Sequence, residues 1–318
     1  AAAVADHQCL FSIGEDTGGS IRQPAALCGI VGFRPSYGRN SRYGVMPMAS
    51  SLDTVGPMAK TVEDIAILME VMAGYDIKDA TTVEAKVPFY VSELKKKING
   101  LRLGIPREYF ELDGMDKETK DIILAKIQEM KNFGCELVEV SLPYTKYAIP
   151  VYYIVVPSED SSNLGRMDGI RYGVRQAGAD LFDVYAQSRA FGFPEEVKRR
   201  IMIGTYVLSA GYYDAYYRQA QKVRTLIIQD FEKVFTDVDA VLTPTSPFPA
   251  FAIGEKANDP LSMYLADVFV SPSAVAGIPA LSVPAGKTSA GLPVGLQIIG
   301  PRLREDLVLN IGYWVEQV

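Results

Sequence analysis

Residues 14–25 read Gly-Glu-Asp-Thr-Gly-Gly-Ser-Ile-Arg-Gln-Pro-Ala, and this stretch decides how the rest of the chain is interpreted. Its two adjacent glycines allow the backbone to turn tightly, so that successive N–H groups point toward one place. Ser20 ends the turn, and Pro24 stands where the first turn of a helix is expected. Asp16 and Arg22 flank the turn with opposite charges and are expected to brace it.

A serine at the end of such a turn has two interpretations. In the first, Ser20 is a nucleophile, and the backbone amides of Thr17, Gly18 and Gly19, together with its own, form an oxyanion hole for acyl transfer. The start of a helix beside the serine favours the negative charge that develops there. In the second, Gly18-Gly19-Ser20 is an ordinary turn in which Ser20 caps the helix.

The histidine content limits the type of serine enzyme. His7 is the only histidine, and it lies just ahead of the segment that leads into the turn, a poor place for the base of a Ser-His-Asp triad. A serine hydrolase nearly free of histidine needs another base, and a lysine with a lowered pKa is the known substitute. A single histidine also excludes a metal site built from several imidazoles.

Composition indicates a folded chain without a broad nucleic-acid surface. Of the 318 residues, 48% are hydrophobic and 22% are charged, which argues against disorder. The net charge of -6 does not favour phosphate binding. No run approaches the roughly 20 apolar residues of a membrane helix, so no membrane contact is predicted. Three widely spaced cysteines, Cys9, Cys28 and Cys135, predict buried, reduced thiols in a cytoplasmic protein.

The order of the predicted elements indicates an α/β fold. Residues 101–143 have the pattern of a βαβ unit, with a helix that ends at Gly134, and such a unit makes its two strands parallel. Residues 145–236 are predicted to be mainly helical. A buried strand is expected at 239–244, and short apolar strands at 278–300.

Four further expectations concern caps and packing. Thr61, with an aspartate three residues later, is predicted to be a helix N-cap. Residues 9–13 are predicted to form a short buried strand, and residues 75–100 to be irregular and solvated. The tyrosines at positions 212, 213, 216 and 217 are expected to pack in the core.

A long ordered string of residues resembles the amidase signature family. The string comprises residues 16–25 with Cys28-Gly29, then Ser36-Tyr37-Gly38-Arg39, Ser50-Ser51-Leu52-Asp53 and Gly56-Pro57. The resemblance implies an α/β fold with a central mixed β-sheet covered by helices on both faces. It also implies a single domain over residues 1–318, truncated at the N-terminus and slightly at the C-terminus, with 145–236 as a helical insertion.

Members of that family use a Ser–cis-Ser–Lys triad. By motif, Ser20 matches the nucleophile, and Thr17, Gly18 and Gly19 match the oxyanion loop. The bridging serine and the catalytic lysine of the family lie upstream of the region that matches Ala1, so no residue of this chain is assigned to either role. We therefore interpret the chain as a fragment, with an inactive member of the family as the alternative.

Later segments resemble one group of the family, the A subunits of tRNA-dependent amidotransferases. These segments are residues 158–164, 168–173, 196–202, 208–217, 259–267 and 277–280, whereas Gly165 and Met167 differ from the residues expected there. The resemblance implies a glutaminase that supplies ammonia for converting Glu-tRNA(Gln) to Gln-tRNA(Gln). It implies subunits B and C as partners, with tRNA contacted mainly through the B subunit. No cofactor is expected in this chain, since ATP and Mg2+ are used by the partner subunit.

A glutaminase pocket must hold a zwitterionic head group, which needs a guanidinium for the carboxylate and a carboxylate for the ammonium. By motif, Arg200 matches the first of these in the family and Asp267 the second. Tyr152 is predicted to complete the pocket, with Tyr153 as the alternative. Without the resemblance, Arg200 and Asp267 would be interpreted as ordinary surface charges.

Two other functions stay open at this point. One is a free-standing amidase of small or aryl amides, which needs neither the zwitterion pocket nor a partner. The other is a truncated chain that binds amidotransferase partners without hydrolysing anything.

We expect the 318-residue chain alone to release no measurable glutamate from glutamine. It lacks the bridging serine and the lysine of the family, and an unactivated serine hydroxyl is a weak nucleophile near neutral pH. A glutaminase assay of the purified chain tests this. Turnover that disappears in a His7→Ala variant would show that the base is the histidine.

Overall fold

The computed structural model describes residues 1–255 and 260–318, and only the backbone of 260–262. Asp259, part of one segment that resembles the A subunits, lies outside the described residues. Within them, eight strands form one sheet in the order β1-β3-β2-β7-β8-β6-β4-β5. The strands are Phe11–Asp16 (β1), Val31–Arg34 (β2), Thr54–Ala59 (β3), Arg102–Pro106 (β4), Glu136–Val140 (β5), Ala240–Pro244 (β6), Ala280–Lys287 (β7) and Pro293–Ile299 (β8).

Thirteen α-helices occur in the described residues, and none of them is long and apolar enough to span a membrane. They are Ala2–Ala5 (α1), Arg22–Cys28 (α2), Val62–Met72 (α3), Tyr90–Glu93 (α4), Arg107–Phe110 (α5), Lys117–Glu129 (α6), Ala148–Asn163 (α7), Leu181–Gly192 (α8), Glu195–Val207 (α9), Tyr217–Val234 (α10), Pro260–Leu265 (α11), Ser271–Ala276 (α12) and Glu305–Val315 (α13). Residues 145–236, predicted to be mainly helical, contain α7 to α10.

The sheet is mixed. Along the sheet, the neighbouring pairs β1–β3, β3–β2, β2–β7, β7–β8 and β8–β6 are antiparallel, whereas β4 pairs parallel with both β5 and β6. The βαβ unit predicted from the sequence is confirmed as β4, α6 and β5. A short 3-10 turn follows α6 and ends at Gly134, whose φ of 80° lies in the left-handed region that glycine adopts without strain. The N-cap is also confirmed, since Thr61 accepts a hydrogen bond from the backbone of Asp64 at 3.1 Å.

Helices cover both faces of the sheet. Side chains alternate between faces along a strand. On one face, Gly295 of β8 lies against Ala26 of α2. On the other, Leu281 and Ile298, which are paired across β7 and β8, pack against Gly312 of α13. The predicted fold class, a central mixed sheet with helices on both faces, is confirmed.

The first strand differs from its prediction. β1 covers Phe11–Asp16, whereas the sequence predicted a buried strand at 9–13. Phe11 and Ile13, which lie on the same face of β1, are 46% and 47% exposed. Cys9 is exposed as well, so the prediction of a buried thiol is wrong there, while Cys135 is buried.

Two other packing predictions are wrong. Within residues 75–100, which were expected to be solvated, Tyr90, Leu94 and Ile98 are buried in the main core. Conversely, three of the four tyrosines expected in the core are partly exposed: Tyr212, Tyr213 and Tyr216 are 39%, 46% and 42% exposed. These three lie in the turns before α10, whereas Tyr217, its first residue, packs against the main core as predicted.

Candidate active site

Ser20 ends a loop whose backbone is buried. Strand β1 ends at Asp16 and α2 begins at Arg22, so the loop connects the sheet directly to a helix. Residues 17–19 are buried, whereas Ser20 is exposed and open to a substrate. The N-cap of α2 is Ile21, so the interpretation of Ser20 as a helix cap is wrong.

The two glycines of the loop lie against close neighbours. A Cβ atom on Gly18 would overlap the ring of Tyr152 in α7. A Cβ atom on Gly19 would overlap the side chain of Val270, directly before α12. Only glycine allows the backbone to approach both walls so closely. The loop therefore has one position fixed by α7 and the next fixed by α12.

Thr17 is anchored by a buried carboxylate. Its hydroxyl donates to Oδ1 of Asp53 at 2.7 Å. The same carboxylate accepts backbone N–H groups from Met48 at 2.9 Å and Ala49 at 3.1 Å. Burial raises the pKa of Asp53, while these hydrogen bonds act against that rise. The start of the loop that leads to Ser20 is thus held by the segment that precedes β3.

Asp16 lies between two guanidinium groups, and all three side chains are fully buried. Nε and Nη2 of Arg22 donate to its two carboxylate oxygens at 3.0 Å, and Nη1 of Arg34 donates to Oδ1 at 3.0 Å. Burial raises the pKa of Asp16, but the two positive charges outweigh it and lower the pKa from 3.8 to about 2. The predicted bracing by Asp16 and Arg22 is confirmed, and Arg34 is a third member.

Arg22 also connects the loop to the far side of the site. Its Nη1 donates to the carbonyl oxygen of Val270 at 2.9 Å, to Oγ of Ser273 at 2.7 Å and to Oε1 of Gln297 at 2.7 Å. One guanidinium therefore holds β1, α12 and β8 together. The wall that Val270 forms against Gly19 is positioned by the residue that pairs with Asp16.

A cavity of about 510 Å³ carries both predicted head-group residues and is also lined by Gln23, three residues after Ser20. Arg200 of α9 and Asp267 line it, together with Gln23 of α2 and Tyr153 of α7. The side chain of Arg200 is 25% exposed and Asp267 is half-buried, so neither is an ordinary surface charge. The structure thus brings residues from four distant segments to one cavity.

The two charges in the cavity do not pair with each other in the described contacts. Nε of Arg200 donates to Glu196 at 3.1 Å, one helical turn away. Asp267 accepts from Nε2 of Gln23 at 3.0 Å and from the hydroxyl of Tyr153 at 3.3 Å. Burial raises the pKa of Asp267 to about 6, although both hydrogen bonds lower it. A cation that enters the cavity would favour the ionised carboxylate.

The two neighbouring tyrosines have different positions. Tyr153, the alternative of the sequence analysis, lines the cavity and contacts Asp267. Tyr152 is 7% exposed and covers Gly18. Their rings meet edge to face with centroids 5.1 Å apart, so the tyrosine that lines the cavity directly contacts the tyrosine that covers Gly18.

The sequence profile of the amidase family matches residues 1–309. The chain belongs to the amidase family.

The only histidine of the chain, His7, is exposed, and one of its ring nitrogens lies 3.1 Å from Nζ of Lys60.

Curated members of the amidase family are similar over nearly the whole chain. A protein of Thermodesulfovibrio yellowstonii, named as the A subunit of Glutamyl-tRNA(Gln) amidotransferase, is 53% identical over 317 residues, which are 100% of this chain and 65% of that protein. The protein of the same name from Novosphingobium aromaticivorans is 56% identical over 317 residues, or 99% of this chain and 64% of that protein. The chain thus spans about 65% of the length of these relatives.

A solved amidase-family structure has the same fold. The crystal structure of the Glutamyl-tRNA(Gln) amidotransferase A subunit from Thermotoga maritima has a TM-score of 0.80 and 43% sequence identity. It covers 97% of this chain, and this chain covers 62% of it.

Two contacts of the site were missed by sequence reasoning. Asp53 and Gln23 both stand in segments that resemble the amidase family, but their partners lie 36 and 244 residues away. Motif similarity indicates that such residues matter, whereas only the folded chain shows that Asp53 holds Thr17 and Gln23 holds Asp267.

Replacing Asp16 with asparagine should destabilise the fold strongly, because two buried guanidinium groups lose their neutralising charge. We expect the free energy of unfolding of the full-length protein to fall by about 3–5 kcal/mol in chemical denaturation. The folded state lowers the pKa of Asp16, so its contribution is present above pH 4 and is lost as the pH falls toward 2. The difference between the two proteins should shrink over that range.

The matched control is Asp214→Asn, which removes an exposed pair with Arg218 at 3.2 Å. An exposed pair contributes little, so this variant should unfold like the unmodified protein. Equal losses for Asp16→Asn and Asp214→Asn would contradict the proposed importance of the buried network.

Proposed function

We propose that the protein is the glutamine-hydrolysing A subunit of a tRNA-dependent amidotransferase. The observation that carries this proposal is the pair of half-buried, opposite charges, Arg200 and Asp267, in one cavity beside the Ser20 loop. A guanidinium binds a carboxylate through two parallel hydrogen bonds, and a carboxylate binds an ammonium group. The α-carboxylate and α-ammonium of glutamine match these two groups, whereas a plain amide matches neither.

In this reaction the Ser20 oxygen attacks the side-chain carbonyl carbon of glutamine. The oxyanion that forms is stabilised by the backbone amides of the Thr17–Gly19 loop, which are already held in place by Asp53, Tyr152 and Val270. The carbon–nitrogen bond breaks, ammonia leaves, and water then hydrolyses the acyl-enzyme to glutamate. By resemblance to the family, a lysine acting through a bridging serine takes the Ser20 proton, and the same proton is passed to the leaving nitrogen so that ammonia is released.

The ammonia produced has a use only if a second active site consumes it. We propose that subunits B and C are the partners, and that the B subunit holds the tRNA and activates its glutamate with ATP and Mg2+. The relatives named as A subunits of Glutamyl-tRNA(Gln) amidotransferase support this assignment. The reaction takes place in the cytoplasm, and this chain contributes no cofactor to it.

Ser20→Ala in the full-length protein should abolish glutaminase activity. The covalent route disappears, so the rate of glutamate release should fall by more than roughly 10³-fold. Thr17→Ser is the matched control, because it keeps the hydroxyl that donates to Asp53, and it should change the rate little. An unchanged rate in Ser20→Ala would refute the assignment of the nucleophile.

Arg200→Lys and Asp267→Asn should each impair glutamine hydrolysis far more than hydrolysis of a plain aliphatic amide. A charge-assisted contact is worth roughly 10–150-fold in kcat/KM. Lysine should not restore the loss, because an ammonium group lacks the planar fork of a guanidinium. Trapping the acyl-enzyme with hydroxylamine, with both substrates side by side, measures the ratio.

The Asp267 variant also has a predicted pH dependence. In the unmodified protein the pKa of Asp267 is raised to about 6, so its carboxylate is protonated below that pH and binds ammonium poorly. The KM for glutamine should therefore rise below about pH 6, and this rise should be absent in Asp267→Asn. Equal losses on both substrates at all pH values would favour a general amidase.

A further inference from the structure

Gln23 has one contact in the oxyanion loop and another in the head-group cavity. Its backbone N–H donates to the carbonyl oxygen of Gly19 at 2.8 Å. Its side-chain Nε2 donates to Oδ1 of Asp267 at 3.0 Å and to the carbonyl oxygen of Ala266 at 2.8 Å. Three residues after Ser20, a single residue thus connects the site of bond breaking to the carboxylate that faces the cavity.

The geometry around Asp267 makes this contact directional. Oδ1 accepts from Gln23, and Oδ2 accepts from Tyr153 at 3.3 Å. With one donor on each oxygen the carboxylate plane cannot rotate freely, and its remaining lone pairs point in fixed directions. The hydrogen bond to the carbonyl oxygen of Ala266 also fixes the backbone next to Asp267. Both the carboxylate of Asp267 and the adjacent main chain are therefore held by Gln23.

We propose that Gln23 is a positioning residue that sets the distance between the Ser20 loop and the ammonium-binding carboxylate, and thereby selects an amide of glutamine length. This inference rests on the proposed function, because it assumes that Asp267 binds the α-ammonium group. Asparagine is one methylene shorter than glutamine. With its ammonium group on a fixed Asp267, its amide carbon would fall one methylene short of the position that the glutamine amide reaches.

The reason for the selectivity is rigidity. Bringing a carbonyl within reach of a nucleophile accelerates the reaction only if the bound geometry is held closely, and a displacement of about 1 Å reduces the rate up to 10²-fold. Since Gln23 in the first turn of α2 lies three residues after Ser20, any movement of the nucleophile moves the donor to Asp267 with it. Without that donor, Asp267 is free to shift toward or away from Ser20.

The test uses Gln23→Leu in the full-length protein in complex with its partners, since leucine is of similar size and has no donor. We expect kcat/KM for glutamine to fall about 10–100-fold, because a hydrogen bond to a charged group is lost. Hydrolysis of asparagine should fall less, so that the preference for glutamine narrows. Hydrolysis of a plain aliphatic amide should stay within about twofold.

A second readout separates positioning from a general structural role. The hydrogen bond from Gln23 lowers the pKa of Asp267 against the effect of burial, so its loss should raise that pKa further. The rise in KM for glutamine at low pH should therefore begin at a higher pH in Gln23→Leu than in the unmodified protein. A residue that only supports the fold would leave the start of this rise unchanged.

Gln187→Leu is the matched control. Gln187 makes the same kind of bond, from Nε2 to a carboxylate oxygen of Asp183 at 3.3 Å, on the exposed side of α8. The Gln187→Leu variant should leave kcat/KM for all three substrates and the pH profile unchanged. If turnover is too slow to measure, glutamine binding can be measured by calorimetry in a Ser20→Ala background. The variant that also carries Gln23→Leu should bind glutamine more weakly than Ser20→Ala alone, and its affinity should begin to fall at a higher pH.

The outcomes are distinguishable from failure of the proposed function. If the unmodified complex does not prefer glutamine over the aliphatic amide, or if Ser20→Ala keeps its turnover, the proposed function is wrong. If those two results are as expected but Gln23→Leu lowers kcat/KM equally for all three substrates and does not shift the pH profile, the positioning role of Gln23 is overturned. Unchanged kinetics in Gln23→Leu would overturn it as well.

Discussion

The structure depends on one buried carboxylate that is shared by two buried arginines. Asp16, Arg22 and Arg34 carry a net positive charge in the interior, where an unpaired charge costs several kcal/mol. Arg22 and Arg34 also donate to oxygens of other segments, among them the carbonyls of Leu52 and Val270. Because these acceptors must converge on one place, β1, α2, β2 and α12 cannot move independently. Within the loop that ends at Ser20, residues 17–19 are buried by this arrangement and Ser20 alone stays exposed.

The loop inherits its precision from that arrangement. Val270, which accepts from Arg22, is also the wall against Gly19, and Tyr152 is the wall against Gly18. Backbone amides fixed in this way do not have to reorganise when negative charge develops, which is the main source of oxyanion stabilisation in enzymes. The same buried network therefore serves the fold and the expected chemistry.

How much the sequence predicted follows from the range of the interactions involved. The turn with its exposed serine, the N-cap at Thr61 and the βαβ unit depend on neighbours along the chain, so local pattern was sufficient. The buried segment around Tyr90 and the exposed tyrosines near Tyr212 depend on which distant elements cover them, and charge or aromatic content along the chain does not encode that. The contact between Gln23 and Asp267 spans 244 residues and was out of reach for the same reason.

The electrostatics of the cavity explain why its two charged residues would stay available to a ligand instead of pairing with each other. Arg200 is neutralised by Glu196, which is 43% exposed, and such a pair within one helix contributes little and is readily replaced. Asp267 accepts hydrogen bonds from the neutral donors Gln23 and Tyr153, and burial raises its pKa to about 6 despite them. Had the two residues paired with each other, a zwitterion would first have to break a partly buried ion pair. Because the two residues are held apart, Arg200 would exchange Glu196 for the carboxylate of the proposed zwitterionic ligand, and Asp267 would gain a cation. A ligand that carries only one of the two charges would make only one of these two contacts.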